Sequence, residues 1–342
     1  MASRLTVILS QGQSNHPEKR SLEEEIVTRL IGQRGIEITV VPHLYDLKPD
    51  GTGVLCMQGI SGNFVVLSWL YPRAAHWTLD RFGIEGRMGT SLIAPDEDED
   101  EDAEDASSAE DEQAAPRVVD ERNLPNRTIY CLDLRWHATA EVYLEEIERV
   151  AAESRTSVVP LSLSSPLKLA AGAAAEPQTG GMGAEAQVSR VDEETARRWY
   201  PVIDFSRCTN CMECIDFCLF GVYGVNSAET ILVEQPDNCR KGCPACSRVC
   251  PENAIIFPQH KSPAIAGSSD VVASLKIDLS KLFGGDNGES AEAAAVRERD
   301  EQLLLAGRDA VGAAAIPARK ARGDEPRDDL DALMDDLDAL EL

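Results

Sequence analysis

Cysteine placement is the feature that most restricts what this chain can form. Ten cysteines occur in 342 residues, and eight of them lie between residues 208 and 250. The first run has the spacing C-x2-C-x2-C-x3-C and the second C-x3-C-x2-C-x3-C-P; their members are Cys208, Cys211, Cys214, Cys218, Cys239, Cys243, Cys246 and Cys250. Because thiolates are soft ligands, such clustering predicts a site for a soft metal ion or an iron-sulfur cluster.

The first run has the spacing of bacterial ferredoxins that hold cubane clusters, and the second nearly repeats it and ends in Cys-Pro. Residues of about 194–260 therefore resemble the bacterial-type two-cluster [4Fe-4S] ferredoxins. In that family the fourth cysteine of each run binds the other cluster. By this resemblance, the ligands of cluster one are Cys208, Cys211, Cys214 and Cys250, and those of cluster two are Cys239, Cys243, Cys246 and Cys218.

The second run departs from the family pattern in its opening. Three residues, not two, separate Cys239 from Cys243, and Leu219 replaces proline after Cys218. The extra residue is predicted to enlarge the loop around cluster two and to change its hydrogen bonding, and hence its potential. A pair of zinc sites is the alternative, although zinc sites usually show two separated cysteine pairs. A disulfide framework would require an oxidising compartment.

Flanking segments indicate an internal repeat. Each cysteine run is preceded by a short apolar segment and followed by another, so that each half is predicted to form strand, cluster loop, one or two helical turns and strand. These segments are 202–205 and 221–223 in the first half, and 231–234 and 254–257 in the second. Their Tyr223 and Phe257 are interpreted as packing around the clusters, with a role as electron relays as the alternative.

The composition argues against several classes of partner. The formal net charge is −26 at pH 7, which disfavours nucleic acid and favours redox partner proteins with basic docking surfaces. No stretch approaches 18 consecutive apolar residues, so no membrane span is expected. The N-terminus lacks the layout of a signal peptide, and the expected location is the cytoplasm.

Residues 1–155 are predicted to form an α/β domain with an open, mostly parallel sheet. Apolar runs predict strands, and amphipathic patterns predict helices, of which the first opens at a capping box, Ser21 to Glu24, and ends at Gly35. Predicted strands are 4–9, 36–41, 53–57 and 128–134; predicted helices are an interrupted one over 64–82 and one over 138–152. Twelve of the seventeen residues from Asp96 to Glu112 are acidic. The segment 95–116 is therefore predicted to be a disordered insertion.

The α/β domain shows no strong motif for chemistry. Its first loop contains Gly-Gln-Ser-Asn, similar to the nucleophile block of SGNH-type esterases, but Asp133 and His137 are one residue too far apart for that family's second motif. No dinucleotide or phosphate-binding glycine motif is present. The remaining side chains with ligand chemistry are interpreted as surface or packing residues; they are His16, His43, His76, His137, Cys56 and Cys131.

Residues 156–193 are rich in Ala, Gly, Ser and Pro and are predicted to be a flexible linker, which would hold the cysteine-rich module, residues 194–262, at a variable distance from the α/β domain.

Residues 263–342 are predicted to form an acidic tail, helical or disordered, with helices over 270–283 and 290–306. Its last segment, 326–342, repeats a leucine-containing heptad. That segment is predicted either to dock as a helix on a partner or to fold back on the chain.

The favoured function is that of an iron-sulfur electron-transfer protein with two [4Fe-4S] clusters. No acid, base or nucleophile is evident, so a carrier or redox subunit is favoured over a self-contained enzyme. The alternatives are an oxidoreductase subunit whose α/β domain binds a substrate or flavin, and a protein in which clusters have a structural or redox-sensing role.

Overall fold

A computed structural model of the protein describes residues 4–94, 116–156, 188–268 and 291–312. Four predicted features lie wholly or almost wholly outside these residues: the acidic insertion, most of the linker, the helix over 270–283 and the heptad segment. Within the described ranges, no helix combines the length and the apolar character needed to cross a membrane.

The N-terminal part of the chain contains a six-stranded sheet. Its strands are β1 (Leu5–Ser10), β2 (Ile36–Val41), β3 (Phe64–Ser68), β4 (Arg87–Met88), β5 (Thr128–Asp133) and β6 (Ser189–Arg190). Their spatial order is β4-β5-β3-β1-β2-β6, and every neighbouring pair is parallel. The predicted α/β domain with a mostly parallel sheet is therefore confirmed.

Helices cover both faces of this sheet. They are α1 (Pro17–Leu30), α2 (Thr52–Gln58), α3 (Pro72–Arg81) and α4 (Ala140–Thr156). Alternate residues of each strand point to opposite faces. Val7 and Leu9 of β1 accordingly pack with α1 and α4, whereas Ile8 packs with α2 and α3. Both faces are therefore buried, as is usual for parallel sheets.

The strand predicted over 53–57 is wrong, because this segment lies in the helix α2. Gly53, Val54 and Met57 are buried, whereas Leu55 is 58% exposed. Burial at positions i, i+1 and i+4 is the pattern of one helix face. In a run of only five apolar residues, this pattern cannot be distinguished from that of a strand by sequence alone.

The interrupted helix predicted over 64–82 is also wrong in its first half. Residues 64–68 form β3, whose five residues are all buried because the strand lies between β1 and β5. A central parallel strand is apolar throughout and so lacks the alternation that identifies a strand. Pro72 begins α3 instead of interrupting a helix. Likewise α1 begins at Pro17, one turn before the predicted capping box.

The cysteine-rich module consists of short elements in a repeated order. They are β7 (Val202–Ile203), α5 (Glu213–Phe217), β8 (Tyr223–Val225), β9 (Ile231–Val233), α6 (Ala245–Val249), β10 (Ile255–Ile256) and α7 (Pro263–Ala266). The strands β7 and β10 pair antiparallel, as do β8 and β9. A final helix, α8 (Ala291–Leu305), lies where the sequence predicts one over 290–306.

The module and the α/β domain share one apolar core. Tyr200, Val202 and Ile256 of the module belong to the same buried cluster as Trp77 of α3. Tyr200 also stacks on Tyr45 with ring centroids 4.2 Å apart, and its hydroxyl donates a 2.7 Å hydrogen bond to the Tyr45 carbonyl oxygen. This packing joins the two parts of the chain directly.

Polar contacts reinforce that interface. The Arg73 guanidinium of α3 forms an ion pair with Asp204 and donates to the Asn253 carbonyl oxygen; the Arg73 and Asp204 side chains are only 7% and 1% exposed. The Val118 and Val119 amides donate across the interface to carbonyl oxygens of the module, at 2.9 and 3.1 Å. The sequence suggests a variable distance between the α/β domain and the module, but the structure shows them in close contact. Apolar and ionic contacts between residues far apart in the chain leave no signal in the local sequence.

Candidate metal centre

The eight clustered cysteines occupy equivalent places in the two halves of the module. In each half, three lie in a loop and the first turn of a short helix, and the fourth directly follows the helix. Cys214 lies on α5, which Cys218 follows, and Cys246 lies on α6, which Cys250 follows. One helical turn therefore turns the fourth thiol away from the loop that precedes it.

Electrostatic interactions between the thiols divide them into two groups of four. Cys214 interacts electrostatically with Cys250, Cys208 and Cys211. Cys250 interacts with Cys211 as well, although it follows Cys214 by 36 positions and belongs to the second run. We call Cys208, Cys211, Cys214 and Cys250 group one.

The second group has the same crossed composition. Cys246 interacts electrostatically with Cys218, Cys239 and Cys243. We call these four residues group two. They line one cavity with about 310 Å³ of empty space, counting the solvent at its mouth. Its other walls are mainly apolar and include Phe217, Phe220, Val222 and Tyr223. This cavity has the thiol lining and the apolar shell that a soft metal group requires.

Burial favours the protonated, uncharged form of several thiols in both groups. Burial raises the pKa of Cys208 to about 11 and that of Cys243 to about 11, and it raises the pKa of Cys214 and Cys246 further still. Repulsion between neighbouring thiolates adds to the pKa of each. All eight are free cysteines. A positively charged group that binds thiolates would lower these pKa values and replace the protons.

The described residues contain no group of three or more His, Cys, Asp or Glu side chains positioned to hold a single metal ion. A multinuclear cluster takes one thiolate at each metal, so four thiols of one group would supply the ligands of one cubane.

Hydrogen bonds to sulfur are present in both groups. In group one, the Asn210 amide donates to Cys208 Sγ at 3.4 Å and the Ala254 amide donates to Cys250 Sγ at 3.2 Å. In group two, the Tyr223 hydroxyl donates to Cys246 Sγ at 3.1 Å. Such donors stabilise negative charge on sulfur and are one of the means by which a protein sets cluster potential.

The two cysteine loops turn in different ways. In the first, Asn210 and Met212 adopt left-handed backbone conformations, with φ of 58° and 65°. The Asn210 side chain then donates to the Glu229 carbonyl oxygen and accepts from the Ile231 amide, each at 2.9 Å, so that it fixes the loop to the β8–β9 hairpin. Asparagine is the residue that tolerates this conformation best after glycine.

The extra residue of the second loop is accommodated by glycine. Gly242 has φ of +88°, and the Cys243 amide closes a turn by donating to the Arg240 carbonyl oxygen at 3.0 Å. The enlarged loop therefore forms a tight turn, and Cys239 and Cys243 still line the same cavity.

Two contributions to the site are missing from the sequence-based prediction. Arg299 of α8 lines the cavity of group two and is 1% exposed. Trp199 donates from Nε1 to the Cys243 carbonyl oxygen at 3.2 Å and stacks on Phe257 with centroids 5.2 Å apart. The sequence holds one signal for this arginine. The residues Ala295, Arg299 and Leu303 are spaced as one helix face, and Arg299 is the charged residue among them.

The scattered residues of the α/β domain do not join this site. Cys131 is buried in β5, where burial raises the pKa of its thiol to about 12, as expected for a packing residue. Cys56 is exposed on α2 instead of lying in a strand. Asp133 forms an ion pair with Arg135, and a ring nitrogen of His137 lies 2.9 Å from the Ala94 carbonyl oxygen. These contacts do not form an esterase triad.

Comparison with known proteins finds a relative for part of the chain. A stretch of 66 residues, 19% of this chain, is 50% identical to an uncharacterized ferredoxin of Methanocaldococcus jannaschii. The chain covers 44% of that relative's length, so most of each protein lies outside the similarity. No protein-family model matches the chain. No solved structure matches it.

Proposed function

We propose that this chain is an iron-sulfur electron-transfer protein whose module of residues 194–262 holds two [4Fe-4S] clusters. The observation that carries this proposal is the assembly of eight free thiols into two groups of four, each completed by a cysteine from the other half of the module. The 66-residue similarity to a ferredoxin supports it independently. When bound, the clusters supply reversible one-electron transfer.

In this proposal each group of thiols holds one cluster. Group one would hold the first cluster and group two the second, through the thiolates that iron-sulfur centres require. The chain's own residues bury the ligands, exclude water and donate hydrogen bonds to sulfur. Tyr223 lines the cavity of group two and interacts electrostatically with Cys246 and Cys218 of that group and with Cys214 of group one.

The charge of the chain suggests how partners would be recognised. With a formal net charge of −26, we propose docking to redox proteins that present basic surfaces and not to nucleic acid. We further propose that residues 326–342 dock as a helix on such a partner. A cytoplasmic location completes the proposal, because a reducing compartment keeps thiols available for clusters.

Iron and acid-labile sulfide are expected at about eight of each per chain in anaerobically purified full-length protein. Reduction with dithionite should then give coupled signals from two reduced clusters by electron paramagnetic resonance. About four of each would limit the proposal to one cluster. Zinc in place of iron would contradict it.

Replacing Tyr223 by phenylalanine should lower one of the two midpoint potentials. The change removes the hydroxyl that donates to Cys246 Sγ but keeps the buried ring. A hydrogen bond of this kind contributes about 1 kcal/mol, so the reduction equilibrium should change about fivefold. A redox titration followed by electron paramagnetic resonance measures it. Unchanged iron content is the control, and two unchanged potentials would contradict the expected effect.

A second candidate function is that of an oxidoreductase subunit, and the contact of group two with the α/β domain favours it. Cys239 packs against the buried core that includes Tyr45 and Tyr200, which places that group beside the domain. Parallel sheets commonly bind ligands where the order of strands reverses, here between β1 and β3. Copurified flavin, or a ligand-induced increase in the melting temperature of the full-length protein, would favour this candidate over a simple carrier.

A further inference from the structure

The helix α8 covers the part of the module that holds group two. Its buried face consists of Ala295, Arg299 and Leu303, each separated by one turn. Ion pairing fixes the helix to α6, since the Arg248 side chain meets Glu298 at 2.8 Å. The Arg308 side chain, which follows α8, donates to the Leu219 carbonyl oxygen at 3.0 Å. A segment more than 40 positions beyond the last cysteine therefore completes this side of the module.

Arg299 is an unusual member of an apolar helix face. The residue is 1% exposed, and arginine is almost never fully buried unless it is paired. Its Nε and Nη2 donate to Asp300 at 3.1 and 3.0 Å, and Nη2 also donates to the Gly312 carbonyl oxygen at 2.9 Å. The guanidinium lies over the Phe217 ring, 4.8 Å from its centroid.

These contacts leave one guanidinium nitrogen unexplained. Arg299 Nη1 is buried and has no hydrogen-bond partner within the described residues. A buried donor without an acceptor is destabilising, and more so when the group is charged. Asp300, Gly312 and Phe217 explain why the side chain lies where it does, but not why Nη1 remains buried without an acceptor.

The cavity beside this side chain supplies the missing chemistry. Arg299 lines it together with all four thiols of group two, and its positive charge acts on Cys243. A cubane cluster held by four thiolates is anionic, and its reduction by one electron adds a further negative charge. A cationic donor next to such a group stabilises the reduced state more than the oxidised state.

We propose that Arg299 belongs to the binding site of the second cluster, where its guanidinium donates a hydrogen bond and raises the cluster's reduction potential. This inference rests on the proposed function, since it requires a cluster in group two. It assigns α8 to the redox site and not to the acidic tail alone. The potential of one cluster then depends on a helix outside the ferredoxin-like repeat.

Three variants of the full-length protein test the role of Arg299. Arg299→Gln removes the positive charge and shortens the side chain that carries the donor. Arg299→Lys keeps the charge. Arg297→Gln removes an equal charge from the exposed side of the same helix. Each is purified anaerobically, assayed for iron and sulfide, and titrated with detection by electron paramagnetic resonance. Circular dichroism checks that α8 and the rest of the fold are retained.

We expect Arg299→Gln to keep about eight irons and to lower one midpoint potential, with about a tenfold change in that reduction equilibrium, or about 59 mV for one electron. The other potential should not move. Arg299→Lys should have a midpoint potential close to that of the wild-type protein. Arg297→Gln should leave both midpoint potentials unchanged. The potential that moves should be the one that Tyr223→Phe also moves, because both side chains lie beside group two.

Several outcomes would overturn the inference, and they differ from failure of the proposed function. Full iron with two unchanged potentials in Arg299→Gln would contradict it, and so would an equal shift in Arg297→Gln. If Arg299→Gln lost half of its iron, recovery in Arg299→Lys would support a need for the charge, whereas loss in both variants would show a purely structural role. Wild-type protein without iron-sulfur clusters would instead contradict the proposed function itself.

Discussion

In a variant that lacks Cys208 and Cys211, replacing Cys250 by alanine should leave the remaining cluster intact, whereas replacing Cys218 should disrupt it. The double alanine variant removes two thiols of group one, and the iron content should fall from about eight to about four. Cys250 belongs to the same group by its electrostatic interactions, so its loss should then have no further effect. Cys218 belongs to group two, whose cluster should remain in the double variant.

Iron and sulfide analysis with electron paramagnetic resonance distinguishes this result from the alternative. If each run held its own cluster, the two triple variants would behave in the opposite way: Cys250→Ala would disrupt the surviving cluster and Cys218→Ala would spare it. A matched control replaces Cys131, a buried cysteine outside both groups. Its replacement by alanine in the same background should leave the iron content unchanged.

The spacing of the cysteines could be interpreted from the sequence because it records a local geometry. A thiol that directly follows a one-turn helix is turned away from the loop before that helix, as Cys218 and Cys250 are. Left-handed residues at fixed places in the loops, such as Asn210 and Gly242, are equally local. Features of this kind depend on a few neighbouring residues and not on the rest of the fold.

The predicted strands 4–9, 36–41 and 128–134 correspond to β1, β2 and β5. The segment of β3 is buried at all five residues and resembles a buried helix in sequence. The segment of α2 is too short for its helical period to be distinguished from a strand. These errors arise because the identity of a short apolar run is decided by tertiary neighbours.

Contacts between distant parts of the chain could not be predicted in this way. Arg73 and Asp204 are 131 positions apart, and each is an ordinary charged residue in its local sequence. Arg299 follows Cys243 by 56 positions, and the row of residues that marks its helix face does not show which element that face covers. A single sequence records the members of such a pair only as two unrelated residues, although their contact fixes how two elements pack.

The ion pair between Arg73 and Asp204 should be the polar contact on which the interface depends most. Replacing Arg73 by methionine keeps much of the side chain's apolar volume but leaves Asp204, 1% exposed, as a buried charge without its main partner. Breaking a buried pair from one side costs about 3–5 kcal/mol. The amides of Val118 and Val119, which donate across the interface, should then lose protection from hydrogen exchange by about two to three orders of magnitude.

Hydrogen exchange of segment 117–122 in anaerobic full-length protein measures this effect, and two further variants identify its cause. Arg29→Met breaks the ion pair between Arg29 and Glu141, whose side chains are 45% and 54% exposed, and should leave hydrogen exchange of this segment almost unchanged because exposed pairs contribute little. Adding Asp204→Asn to Arg73→Met removes the buried charge and should restore part of the protection. Equal effects of Arg73→Met and Arg29→Met, or no recovery with Asp204→Asn, would mean that apolar packing around Tyr200 and Trp77 holds the interface without this ion pair.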